Sequence, residues 1–193
     1  MNFIIVLPKS RKKSVVIVII DRVSKYAHLY FLQHSFTASI GVQKFMDNIF
    51  KLHYMDHSIV SNRDPTFCNN FWQELFRLEG TQLHLSTAYH PQTDGQIEVV
   101  NNCLETYLWC FASHRKNQLA QWFPLAKWWY NRSYHTATDM TPFEALYGKN
   151  PPSFLSYTSG VSKFHEVDNN ITVRVVILHT LKENMVMDRN HMK

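Results

Sequence analysis

Three polar positions carry the chemistry this chain has to offer: an amide where a strand opens, an amide where another strand ends, and an acid on a helix. The stretch IVSNRDPTF at 59–67 closes an apolar pair, Ile59 and Val60, with a polar cluster and a chain-turning Pro65. In open α/β sheets, sites form at the carboxyl ends of strands, where an acid is expected. Asn62 stands there instead. Thirty-five residues lie between Asn62 and Glu98, and Asn2 sits at the opening of the first strand. Amide oxygens can ligate a hard cation but do not offset its charge. Glu98, taken alone, reads as a solvated first-turn acid favoured by the helix dipole. The other metal and redox chemistries find little support. Cys68, Cys103 and Cys110 contain no CxxC pair, and none of the eleven histidines shows the paired Cys/His spacing of a structural zinc site.

These positions need elements to hold them. Phe3 to Leu7, Val15 to Ile20 and Tyr26 to Leu32 read as three strands joined by a basic turn, Pro8 to Lys13, and by a second turn, Asp21 to Lys25. Thr37 is placed to cap a helix running to about Leu52, with Val42, Phe45, Met46 and Ile49 as its apolar stripe. A short strand at 58–61 follows. Asn69 or Asn70 caps the next helix, with Phe71, Leu75 and Leu78 inward and Gly80 as its stop. Gln82 to Ser86 alternates like a strand, and Ala88 to Gly95 is a polar loop. A helix from about Gln96 to Ser113 buries Val100, Cys103, Leu104, Tyr107 and Phe111 and turns Glu98 away from the core. An aromatic helix with Pro124 near its start carries Trp128, Trp129 and Tyr130 in a row, expected to pack in a core. Thr141, Pro142, Glu144 and Gly148 frame a short capped helix. The order predicts a mixed α/β sheet over 1–150, a linker at 151–163, and a loosely packed, partly disordered helical segment at 164–193. A weak seven-residue spacing at Ile171, Leu178 and Met185 is too short to define a coiled coil.

A chain of 193 residues, 45% hydrophobic, can bury one good core. Twenty Lys and Arg against 15 Asp and Glu give a formal charge of +5, a mild bias toward an acidic partner such as nucleic acid. The longest apolar run, Val15 to Ile20, is far short of a membrane span, and the apolar-before-basic start lacks the order of a secretory signal. A soluble, intracellular protein is expected.

The stretches LPKS at 7–10, DRVSKYAHLYFL at 21–32, IVSNRDPTF at 59–67, HPQTDGQIEVVNN at 90–102 and TPFEALYGKNPP at 141–152 resemble the integrase core domain of gypsy-type long-terminal-repeat retrotransposon polyproteins. The resemblance implies an RNase H-like fold with a mixed five-stranded sheet and flanking helices. It implies DNA integration, by 3′-end processing and strand transfer, with Mg²⁺ or Mn²⁺ held by two Asp and one Glu. Carried onto this chain, those positions are Asn2, Asn62 and Glu98, of which only Glu98 keeps its acid. The resemblance also places DNA contacts at His90, Gln92, Asn101 and Asn102, with Asn102 where members usually carry a basic residue. Asp64 and Asp94 are nearby acids that the family does not place on the metals. Partners implied are DNA and a second copy of the chain; the location implied is the nucleus if the protein functions. The losses at 2 and 62 predict a catalytically defective integrase core, truncated at its N-terminal side. The alternative is a non-catalytic nucleic-acid-binding or oligomerisation module derived from one.

Overall fold

The computed structural model describes residues 1–4, 13–33, 36–62, 64–65, 67–85, 102, 105–106, 119–136, 138–153 and 157–191. Strands β1 (Asn2–Ile4), β2 (Lys13–Ile20) and β3 (Ala27–Gln33) form an antiparallel sheet in that order. Its register pairs Asn2 with Val18 and Ile17 with Tyr30. Strands β4 (Ser58–Ser61) and β5 (Gln82–Leu85) pair in parallel, Ser58 opposite Gln82. The architecture is therefore mixed α/β as expected; among the described residues the strands form one sheet of three and one of two. Where the two meet, the Met1 amino group donates to the Val60 carbonyl, and Asn62 N–H donates to the Met1 carbonyl at 3.3 Å.

The continuous apolar run in β2 has a direct structural reason. Val15 and Ile17 face one core, Val16 and Val18 the other, and all four are 3% exposed or less. A strand covered on both faces shows no alternation of apolar and polar residues. On one face, Val16, Val18 and Leu29 pack against α4 (Leu119–Arg132) through Phe123, Ala126 and Tyr130. Ile177 of α6 (His165–His191) closes that side. The C-terminal helix is thus docked through Ile177, with Val173 and Leu178 packed alongside. Asp168 on its first turns accepts from Tyr157 Oη at 2.8 Å, Gly160 N at 2.7 Å and Ser159 Oγ at 3.2 Å, fixing the incoming chain to the helix.

The other face is covered by α1 (Ala38–Phe45), its π-helical continuation Met46–Phe50, the single turn α2 (Lys51–His53) and α3 (Asn70–Leu78). Thr37 caps α1 by accepting from Ile40 N, and Val42, Phe45 and Ile49 are buried as the stripe required. Gly41 of α1 is buried against α3, where a Cβ would stand in van der Waals contact with Trp72 Cζ2 at 3.4 Å. Asn69 caps α3 through Phe71 N at 2.9 Å. Of the expected inward face of α3, Leu75 packs against the core but Phe71 and Leu78 do not. Trp72 and Phe76 are 0% and 1% exposed, whereas Phe71 and Leu78 are 49% and 69% exposed. A small rotation of the helix buries the Trp72 indole together with the Phe76 ring, and aromatic burial area decides the face.

In α4, Pro124 lies inside the helix, within its first half as described. Tyr130 is buried and Trp129 packs against the same core, as a packing role requires, while Trp128 carries the Arg132 guanidinium at 4.6 Å. Asn131 ties α4 to β3: its Oδ1 accepts from Ala27 N at 2.7 Å and its Nδ2 donates to Ala27 O at 2.8 Å. Asn131→Ala leaves both backbone groups buried without that partner and is expected to destabilise the chain by about 2–4 kcal/mol in urea melts. The short helix α5 (Pro142–Tyr147) is capped as its sequence implies, by Thr141 Oγ1 at 3.1 Å from Glu144 N and by Gly148 at φ 65°.

Candidate functional site

Two of the three expected positions are brought together. Asn2 opens β1 and Asn62 follows β4, and the Met1 hydrogen bonds set those two elements side by side. The Asn62 Nδ2 donates directly to Asn2 Oδ1, and the same oxygen accepts Phe3 N–H at 2.8 Å. Asn62 Oδ1 faces Asp64 N–H at 3.4 Å, and the Asn62 carbonyl accepts Ser61 Oγ at 2.8 Å. Both amides are half-buried. Glu98, His90, Gln92, Asn101 and Asp94 lie outside the described residues. Asn102 is helical and exposed.

The donor set does not fit a pair of divalent cations. A carboxylate presents only acceptors, so two of them in contact need a cation or a proton between them. An amide presents a donor and an acceptor, so Asn62 and Asn2 satisfy each other. The contact between the two side chains is a neutral hydrogen bond. Among the described residues, no group of three or more His, Cys, Asp or Glu side chains is placed to hold a metal ion.

No family model matches the chain. Over all 193 residues it is 30% identical to the Tf2-3 and Tf2-4 transposon polyproteins of Schizosaccharomyces pombe (strain 972 / ATCC 24843), and it spans 14% of their length. A chain of the simian T-cell lymphotropic virus intasome in complex with PP2A regulatory subunit B56 gamma superposes with a TM-score of 0.63 at 16% identity, over 84% of this chain and 59% of that one. The HTLV-2 integrase catalytic core domain in complex with magnesium, in its trimeric form, gives 0.57 at 16% identity, over 75% of this chain and 93% of that one. The fold is that of a retroviral integrase catalytic core. In this integrase-like domain, the Asn pair sits where the resemblance in sequence put the first two acids. No helix among the described residues is long and apolar enough to cross a membrane.

A second polar cluster has no signature in the sequence. His28 on β3 is 5% exposed, and its Nε2 lies 3.2 Å from Nε2 of His53, which comes from α2. Its Nδ1 lies 3.3 Å from Tyr30 Oη. Burial, reinforced by the Lys127 ammonium and by His53, pushes the His28 pKa down to about 3; Asp21 opposes this weakly. Burial also pushes the Tyr30 hydroxyl up, and lowers Lys127, whose ammonium lies 5.3 Å over the Tyr30 ring. Below its ordinary value of 6.5 the unfolded chain protonates His28 and the folded chain does not. Stability from this group is therefore complete above pH 6.5 and falls as the pH drops toward 3. The expected slope in thermal melts across that window is at most about 1.4 kcal/mol per pH unit, and His28→Phe flattens it.

Proposed function

We propose that this chain is the catalytic core of a retrotransposon integrase that has lost strand-transfer activity. The two Met1 hydrogen bonds support reading the five strands as one mixed sheet in the order β3-β2-β1-β4-β5, the RNase H-like arrangement. The similarity of all 193 residues to a part of the Tf2 transposon polyproteins supports the source of the domain. The observation that carries the loss is the Asn62–Asn2 hydrogen bond, a neutral contact where the reaction needs charge. Glu98 is then the remaining acid of the three. DNA is the proposed partner, with His90, Gln92, Asn101 and Asn102 as contacts, in keeping with the +5 charge. A homodimer or higher oligomer and a nuclear location are part of the same reading; the HTLV-2 core domain with magnesium has both dimeric and trimeric forms.

The test is a disintegration assay in Mg²⁺ and in Mn²⁺ on the natural chain, on Asn2→Asp/Asn62→Asp, and on the same pair with Glu98→Gln. The expected outcome is no product from the natural chain, product at least about a hundredfold higher from the Asp pair, and its loss with Glu98→Gln. Turnover by the natural chain at the level of the Asp pair overturns the reading. A non-catalytic nucleic-acid-binding role is the second reading, favoured by the self-satisfied amides together with the basic charge. Salt-dependent DNA binding that needs no divalent ion would establish it.

A further inference from the structure

The histidine cluster away from the Asn pair has the dimensions of a metal site. His28 Nε2 and His53 Nε2 stand 3.2 Å apart, with the ring centroids 5.0 Å apart and the planes at 73°. Two imidazoles on one tetrahedral Zn²⁺, at Zn–N distances near 2.0–2.1 Å, place their nitrogens about 3.3–3.4 Å and their centroids about 5.2 Å apart. A straight N–H···N bond of the same length holds the centroids farther apart, at about 5.5 Å. The observed rings are bent out of that line.

The tautomer suits ligation as well. Tyr30 Oη donates to the Asn48 carbonyl at 3.5 Å, so its lone pair accepts Nδ1–H of His28 at 3.3 Å. With that proton on Nδ1, His28 Nε2 carries a lone pair. An oriented partner on the other ring nitrogen is what metal-bound imidazoles have. Burial keeps His28 neutral, the form that binds metal. Asp21 acts electrostatically on both rings and favours a cation between them, while the Lys127 ammonium opposes it at His28. No third His, Cys, Asp or Glu among the described residues joins the pair. His53 is exposed, so water completes the coordination.

The backbone around His53 is irregular on both sides. The π-helical stretch Met46–Phe50 precedes α2, and Tyr54 follows it at φ 62° and ψ −157°, a conformation that favours glycine. A non-glycine residue there stores strain that its surroundings must hold, and such strain gathers at functional positions. π-Helical insertions gather there too. Both irregularities flank His53, which meets His28 across 25 residues of chain.

We infer that His28 and His53 bind one divalent transition-metal ion that prefers imidazole, and that the ion fastens α2 to β3. The site is separate from the Asn pair and does not rest on the integrase reading. Mg²⁺ prefers oxygen and Mn²⁺ stands lowest in affinity for such ligands, so neither is expected to fill it. Zn²⁺ is the probe. The full natural chain, His53→Ala and His57→Ala, free of metal and of any affinity tag, are titrated with Zn²⁺ by calorimetry and melted with and without it. His53 and His57 are both exposed, so neither change removes core packing. One bound Zn²⁺ is expected in the natural chain and in His57→Ala, with the melting temperature raised by at least about 3 °C at a hundredfold excess over Kd. His53→Ala is expected to bind at least about tenfold more weakly and to show no rise. Equal Zn²⁺ affinity in His53→Ala, loss of binding in His57→Ala, no binding by the natural chain, or an equal response to Mg²⁺ overturns the assignment.

Discussion

Replacing Asn2 and Asn62 together by Asp is expected to lower the melting temperature in EDTA by roughly 5–10 °C at neutral pH, and Mg²⁺ is expected to restore it. The natural chain should melt at the same temperature with and without Mg²⁺. The reason lies in the contact between the two side chains, where Asn62 Nδ2 donates to Asn2 Oδ1. Two carboxylates in that place lose the donor and repel each other. At 4 Å and an effective dielectric of 20, the repulsion is roughly 4 kcal/mol before relaxation and proton uptake reduce it. A divalent cation reverses the sign of the interaction, so the same substitution that costs stability without metal confers metal binding. The single substitutions separate the two effects. Either Asp alone can still accept from the remaining amide, so each should cost less than half of the double change, and neither should respond strongly to Mg²⁺.

Trp72→Ala is expected to be the most damaging core substitution, at about 3–5 kcal/mol, or roughly 10 °C in melting temperature. The Trp72 ring is fully buried and touches the Phe45, Phe67 and Phe76 rings, with centroids 5.8, 5.6 and 5.3 Å away. It joins α1, the turn after β4 and α3 into one core, behind the strand that leads to Asn62. A loss of this size is a large share of the 5–15 kcal/mol that holds a typical domain together. Trp72→Phe should cost far less. The buried indole Nε1 has no hydrogen-bond partner among the described residues, so its removal forfeits volume but no hydrogen bond seen there. Urea melts of the three proteins check both statements.

What could be seen in the sequence was what local physics writes there. The β-branched run of β2, the Thr37 and Asn69 caps and the Thr141–Gly148 frame each follow from the conformations those residues favour. The convergence of Asn2 and Asn62 had no local signature; resemblance to known integrases suggested it, and the structure places the two in contact. The sequence does not decide the face of α3, because 71/75/78 and 72/76 are both helical spacings; Leu75 packs inward, and only the shape of the opposing core selects Trp72 and Phe76 over Phe71 and Leu78. Asn131 clamps Ala27 across 104 residues of chain, and His28 meets His53 from a different element. Partners brought together only by the tertiary fold leave no periodicity to read. The link between the three-stranded and two-stranded sheets is two backbone hydrogen bonds at Met1, below the resolution of any pattern of side chains.

The most direct test of the Asn pair as a closed, metal-free position is a Mn²⁺ titration of the natural chain, followed by electron paramagnetic resonance and calorimetry. The account predicts no saturable binding below the millimolar range, and stoichiometric binding in Asn2→Asp/Asn62→Asp. Tight, stoichiometric Mn²⁺ binding to the natural chain that disappears in Asn62→Ala would contradict it, because the amides would then be ligands rather than each other's partners.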